Sequence, residues 1–285
     1  MESRIDNWPF IVSLSGNEMK RGPWSYDAIA DIYATDMGQS MPFDDVACYA
    51  QLARRFPGPV LELGCGTGRI LLTLLAQGSD AIGIDRSLPM LQRLRRDAKQ
   101  CGLDPPRLAQ MDVRALALGG RFALILAPYS LVTYLTETAE LDALVIAARS
   151  LLAPGGALLL DAFVPRDVTP FDEFRLDYRR AHGDGYLERA KRIACLPDGC
   201  NRIERRYRVL DARDVVSQEF VTTDCIRPYA PADLQQIAER HGLTLAEQIW
   251  DYGANDDADS ALFYTCAFVT GKLGTENNSA AETLA

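Results

Sequence analysis

The most constraining feature of this chain is Val60-Leu61-Glu62-Leu63-Gly64-Cys65-Gly66-Thr67-Gly68-Arg69-Ile70. A short apolar run, broken only by Glu62, reads as a buried strand of a parallel sheet. Glycines follow at alternate positions, 64, 66 and 68, and residues 69–76 are apolar-rich and read as a helix. Glycine at a strand-to-helix turn lets the backbone bend sharply and approach a ligand with no side chain between them. The helix behind it turns free N–H groups and a positive dipole end toward the same space, which favours an anionic group. The stretch predicts a nucleotide-type binding turn.

Strand and helix alternate from there. Residues 80–85 read as a second strand ending in Asp85, and Ser87 caps a helix that carries Met90, Leu91 and Leu94 at helical spacing. Residues 107–111 are a weaker third strand before Asp112, and the wholly apolar residues 122–127 are a fourth, central one. A helix over 137–152, a turn at Pro154-Gly155-Gly156 and a fifth strand over 157–163 follow. This alternation predicts a parallel, doubly wound sheet covered on both faces. Ahead of it, Tyr26, Ile29, Ile32 and Tyr33 lie near one helical face, and a second helix is expected over residues 43–56.

After the fifth strand the period changes to two. Residues 175–182, 186–196, 202–211 and 215–226 each alternate, which predicts an inserted antiparallel meander. In the third of these, Ile203, Arg205, Tyr207 and Val209 share one face. A helix over 231–241 stops at Gly242, and strands over 243–250 and 261–270 close the fold. The expected units are an N-terminal helical cap (1–56), a sheet domain (57–163 and 230–270), the insertion (164–229) and a disordered tail (271–285).

Composition narrows the function. A formal charge of −9 over 285 residues argues against broad binding to nucleic acid or anionic membrane, both of which need a basic footprint. No apolar run approaches membrane-spanning length, and Glu2, Arg4, Asp6 and Asn7 do not form a secretory signal, so a cytoplasmic protein is expected. It is read as a monomer or homodimer acting on a small molecule. Cys195 and Cys200 flank the turn Leu196-Pro197-Asp198-Gly199 and could face each other across a hairpin; two free thiols are the expectation. With His182 and His241 as the only histidines and no second paired-cysteine spacing, no metal site is expected.

A dinucleotide fingerprint would place its third glycine at position 69, where this chain has Arg69. Residues 60–68 instead closely resemble the first motif of class I S-adenosylmethionine-dependent methyltransferases. The resemblance continues at Gly83-Ile84-Asp85, Gln110-Met111-Asp112-Val113, residues 122–128 and Leu152-Ala153-Pro154-Gly155-Gly156, in matching order over residues 26–161. It implies a Rossmann-like seven-stranded sheet with the last strand antiparallel, and S-adenosylmethionine as cofactor with S-adenosylhomocysteine as product. Glu62 and the backbone of Gly64, Cys65 and Gly66 would hold the methionine moiety. Asp85, with Arg86 beside it, would accept from the ribose hydroxyls, and Met111, Asp112 and Val113 would meet the adenine edge. Met90 would pack on the adenine ring, unless it is core filler. Tyr33 would touch the cofactor, and the stretch from Ala127 to Tyr129 would line the methyl side.

Adenine N6 methyltransferases of nucleic acids carry two prolines after the fourth strand; this chain has Ala127-Pro128-Tyr129-Ser130-Leu131, with one. The chain is more similar to small-molecule N-methyltransferases acting on amino acids, amino sugars and natural products, in which an N-terminal helix and an insertion form a lid. Within the arginine-rich insertion, Arg205 and Arg227 are the first choices to pair with a substrate carboxylate. Tyr207 shares a face with Arg205, and Tyr134 is a further candidate. Methyl transfer from a sulfonium is an in-line displacement, so positioning and desolvation supply most of the rate. A neutral amine attacks unaided, whereas a hydroxyl benefits from a general base. His241 reads as a helix-end cap and His182 as a turn residue, which tilts the reading toward nitrogen. Tyr26, Tyr33 and Tyr129 are the catalytic candidates, offering oxygen acceptors and ring faces to the sulfonium. The alternatives are cyclisation or alkyl transfer from the same cofactor, and a non-catalytic assembly protein with this fold.

Overall fold

The computed structural model describes residues 24–37 and 41–270; the tail expected beyond 271 and the first 23 residues lie outside it. Two short helices, α1 (Ser25–Ile29) and α2 (Tyr33–Met37), stand where one was predicted, broken at a turn over residues 30–32. The break lets Ile29, Ala30 and Ile32 pack together against Met90, Leu187 and Tyr207. Helix α3 (Asp45–Arg55) begins where the Asp44 carboxylate accepts from the Ala47 N–H at 2.9 Å. Its Tyr49 and Leu52 are buried in the core of the main sheet rather than in a separate cap.

The main sheet is built from β1 (Val60–Leu63), α4 (Leu71–Ala76), β2 (Ala81–Asp85), α5 (Leu88–Gln100), β3 (Arg107–Gln110), β4 (Phe122–Ala127), α6 (Thr138–Leu151) and β5 (Leu152–Phe163). As predicted, the Ser87 hydroxyl caps α5 by accepting from the Met90 N–H at 3.3 Å. Strand β5 starts five residues before the expected 157, because Leu152 pairs with Phe122 across from β4 and the Pro154-Gly155-Gly156 stretch is an irregularity inside the strand. After the insertion come α7 (Pro231–Arg240), β10 (Leu243–Trp250) and β11 (Phe263–Thr270). The seven strands lie in the order β10-β11-β5-β4-β1-β2-β3, with β11 antiparallel to both neighbours.

Leu61 and Leu63 pack with α6 and α7 on one face, and Val60, Leu124 and Leu126 with α3, α4 and α5 on the other. The strand order reverses between β1 and β4, and in open α/β sheets ligands bind outside the carboxyl ends at such a switch point. Four strand ends converge there.

The insertion forms its own sheet of β6 (Phe171–His182), β7 (Gly185–Cys195), β8 (Asn201–Leu210) and β9 (Val216–Ile226), antiparallel and in sequential order. Cys195 pairs with Asn201 rather than Cys200, and both thiols are free. Among the described residues no helix is long and apolar enough to cross a membrane.

Candidate active site

A cavity of about 850 Å³, counting its open mouth, lies against the carboxyl ends of β1 to β4. Gly64 and Gly66 form its floor, both at positive φ (67° and 52°), a region open to glycine at little cost. A Cβ at Gly64 would come within 2.9 Å of Leu131 Cδ1, whereas one at Gly66 would meet nothing within 4 Å. The third glycine serves packing instead: at Gly68 (φ 86°) a Cβ would lie 2.6 Å from Leu94 Cγ. Gly68→Ala is therefore expected to lower the thermal midpoint by about 5–10 °C, from left-handed strain plus an overpacked core. Thermal unfolding of the variant checks this; an unchanged midpoint would remove the packing role.

Asp85 ends β2 at the cavity wall. Its Oδ2 accepts from the Gly66 N–H and its Oδ1 from the Ser87 N–H, each at 2.7 Å. Burial pushes its carboxyl up, and those N–H groups pull it back. An ionised carboxylate retains further lone pairs for ligand hydroxyls. At the next strand end burial also acts to raise Asp112, but the Arg114 side chain and N–H outweigh it and hold Asp112 below its ordinary value. Arg114 Nε lies 2.8 Å from Asp112 Oδ1. Met111 and Val113 line the same wall. Arg86 caps the mouth, its guanidinium 4.9 Å from the Trp24 ring centroid and 3.9 Å from the Asp112 carboxylate.

Tyr26, Tyr33, Tyr129 and Tyr134 line this cavity and also a second one of about 750 Å³, open mouth included, under the inserted sheet. The Tyr26 and Tyr134 hydroxyls are 2.8 Å apart, and the Tyr26 and Tyr33 ring centroids 6.0 Å. Burial raises the Tyr129 phenol to about 12 and raises Tyr26, Tyr33 and Tyr134 as well, so these groups are neutral at physiological pH. They present lone pairs and ring faces rather than charge.

The second cavity is walled by ion pairs. Asp36, 2% exposed, accepts from Arg189 at 2.5 Å, from the Tyr207 hydroxyl at 3.1 Å and from the Tyr178 hydroxyl. Asp224 accepts from Arg205 at 2.7 Å and from the Ser25 hydroxyl at 2.6 Å. Asp177 accepts from Arg189 Nε at 2.8 Å and pairs with Lys191 at 3.0 Å. Arg205 and Tyr207 thus line the second cavity, and Arg205 brings its own counter-ion.

Other expected site residues lie elsewhere. Arg227 faces neither cavity: its guanidinium donates to the backbone carbonyls of Thr136 and Asp198, tying the β7–β8 turn to the segment before α6. Met90 is fully buried beneath α1, so it fills core rather than meeting a ligand ring. Ala127 is buried in the sheet, and the Cys65 side chain packs against Gly83, where a Cβ would come 2.7 Å from the sulfur. Glu62 lies under the glycine turn, 2% exposed, with Oε2 buried and without a hydrogen-bond partner. Trp24, Asp36, Arg114, Asp177, Arg189, Lys191 and Asp224 were not anticipated. The Asp112-x-Arg114 spacing was a usable signal; the others depend on tertiary placement.

Residues 60–156 match the family described as a methyltransferase domain. The chain is 32% identical over 102 residues to the dTDP-3-amino-3,4,6-trideoxy-alpha-D-glucopyranose N,N-dimethyltransferase of Streptomyces venezuelae, covering 36% of this chain and 41% of that relative. It is 26% identical over 192 residues to the carboxy-S-adenosyl-L-methionine synthase of Yersinia pestis (62% and 71% covered). Among solved structures, the CcbJ methyltransferase of Streptomyces caelestis superposes with a TM-score of 0.73 at 23% identity, over 87% of this chain and 98% of that one. Residues 60–156 thus carry a methyltransferase domain, and the overall fold is shared with solved S-adenosylmethionine-dependent methyltransferases. The chain spans less than half the length of the Streptomyces venezuelae relative.

The residues around the first cavity fit S-adenosylmethionine. The floor at Gly66 has no side chain in the way, Asp85 retains acceptor capacity, Asp112 and Val113 line the wall, and a buried acid with an orphan oxygen sits in the strand that leads into the turn.

Proposed function

We propose that this protein transfers a methyl group from S-adenosylmethionine to a nitrogen atom of a small polar acceptor. The observation that carries the reading is the junction: two adjoining cavities share Tyr26, Tyr33, Tyr129 and Tyr134. The bound cofactor would supply an electrophilic methyl group on a sulfonium. Asp85 and Arg86 hold the ribose side, Met111, Asp112 and Val113 the adenine side, and Glu62 with the backbone of Gly64, Cys65 and Gly66 the amino-acid side. The four phenols exclude water from the junction and offer oxygen lone pairs and ring faces to a cationic centre. Neutral phenols are poor bases at physiological pH, which favours an acceptor that attacks as a free amine and loses its proton afterwards.

Among the described residues neither histidine lines either cavity, in keeping with nitrogen rather than hydroxyl chemistry. The imidazole of His182 meets the Thr35 hydroxyl at 2.8 Å and that of His241 meets Asp142 at 2.7 Å. The acceptor would sit on the inner face of the inserted sheet beside Arg205, Tyr207 and Lys191, in a cytoplasmic enzyme without nucleic-acid or membrane partners. The amino-sugar substrate in the Streptomyces relative's name suits a cavity of balanced charge, which favours a polar or zwitterionic molecule over a strongly charged one.

A second reading follows from the likeness to a carboxy-S-adenosyl-L-methionine synthase: the cofactor is used without methyl transfer. Mass spectrometry of the by-product after incubation with S-adenosylmethionine and a panel of small amines decides between them. S-adenosylhomocysteine appearing only with an amine is the expected result. Methylthioadenosine, or a modified cofactor without added amine, would overturn it.

A further inference from the structure

A carboxylate outside both cavities holds the backbone of a residue that lines them. Two consecutive residues after β4, Tyr129 and Ser130, are held in the left-handed region, each at φ 57°. Neither is glycine, and each such residue costs about 1–2 kcal/mol, so the conformation persists only where its surroundings impose it. Successive N–H groups in such a turn converge on one point and form a nest for an anion.

Here the chain supplies the anion itself. Asp161 of β5 is fully buried; its Oδ2 accepts from the Tyr129 N–H at 2.9 Å and its Oδ1 from the Ser130 N–H at 2.5 Å. Its Oδ2 also accepts from the Tyr252 hydroxyl at 2.8 Å and from the Tyr49 hydroxyl, so α3 and the β10–β11 connection brace it from behind. All four of these donors are neutral. The Ser130 hydroxyl oxygen accepts from the Phe163 N–H at 3.0 Å, and the Thr133 hydroxyl donates to the Ser130 carbonyl at 2.7 Å, closing the loop onto β5.

We propose that Asp161 is a positioning residue for the transfer site: by filling the nest of the Tyr129 and Ser130 N–H groups it fixes the Tyr129 ring where the two cavities meet. The side chain so placed lies between Arg69, whose guanidinium is 5.5 Å from the ring centroid, and Met37, whose sulfur is 3.7 Å from the hydroxyl. Without the carboxylate the two left-handed residues relax, and Tyr129 swings from both cavities. The consequence for methyl transfer rests on the function proposed above; the structural part does not.

The test uses fluorotyrosine at position 129 and fluorine NMR of the ligand-free protein, together with calorimetric titration of S-adenosylhomocysteine. Asp161→Asn turns an amide donor toward one of the two N–H groups. It is expected to shift and broaden the Tyr129 resonance and to weaken S-adenosylhomocysteine by about tenfold. In a Tyr129→Ala background Asp161→Asn is expected to have no further effect on affinity; full additivity would overturn the proposal. The wild type provides a check that needs no folded variant: hydrogen exchange at the Tyr129 and Ser130 amides should be slowed by about 100-fold or more, and exchange at unprotected rates also overturns it. Should the wild type fail to bind S-adenosylhomocysteine, the methyltransferase function falls, while the resonance and exchange data still decide the role of Asp161.

Discussion

Replacing Asp85 with alanine is expected to weaken S-adenosylhomocysteine binding by roughly 100-fold, because hydrogen bonds to a charged group contribute about 1.5–3 kcal/mol and more than one is lost. The carboxylate acts twice in this site. It faces the cavity from the end of β2, and it holds the Gly66 N–H that shapes the cavity floor. Asp85→Asn keeps the size and one carbonyl acceptor, so it is expected to fall between wild type and alanine. Isothermal titration of the three proteins, with thermal unfolding to confirm that they are folded, provides the measurement. A loss below about threefold for the alanine variant would mean that Asp85 only caps the turn, a role worth roughly 1 kcal/mol.

The sequence revealed the parts of the molecule that repeat a local rule. The central strands β1, β4 and β5 contain apolar runs bounded by turn residues, and the inserted strands largely alternate with period two, so element type and order could be read directly. Register could not. Periodicity tells which residues of β8 share a face, but not that Lys191 of β7 lies opposite Arg205, or that Thr222 of β9 lies beyond it. The charged wall of the second cavity follows from that register and from α2, which brings Asp36 to Arg189 across 153 positions of sequence. Arg227 was assigned to substrate for the same reason: its composition-level signal is that of a cation in an arginine-rich segment, and its actual partners are two backbone carbonyls. For Met90, helical spacing foretold burial but not the neighbour. Asp161 did carry a signal, an acid inside the apolar run Leu158-Leu159-Leu160-Asp161-Ala162-Phe163, of the same kind that singled out Glu62.

Glu62 should make the protein less stable as pH rises, and Glu62→Gln should remove that dependence. The residue sits in β1 with one carboxyl oxygen lacking any partner. Burial pushes it from an ordinary value of 4.5 up to about 8, with the nearby Arg69 only partly offsetting this and Asp85 adding to it. Arg69 is a limited counter-ion because Asp45 already holds it through two bonds of 2.5 and 2.6 Å. The folded state therefore binds a proton that the unfolded chain releases between those two values. The resulting stabilisation is complete below about pH 4.5 and is lost as pH rises through about 8. Between pH 6 and 9 the loss is roughly 2–3 kcal/mol at about 1.4 kcal/mol per unit, or about 5–10 °C in thermal midpoint. A neutral glutamine has the same shape and no such proton, so thermal midpoints of the two proteins should diverge progressively between about pH 4.5 and about 8 and run parallel above that, the variant becoming the more stable. Curves parallel across the whole range would show that Glu62 is ionised throughout and compensated in a way its surroundings do not reveal. An ionisable group kept in a core strand against its own stability is expected of a ligand site rather than of packing, since glutamine or an apolar residue would serve packing better.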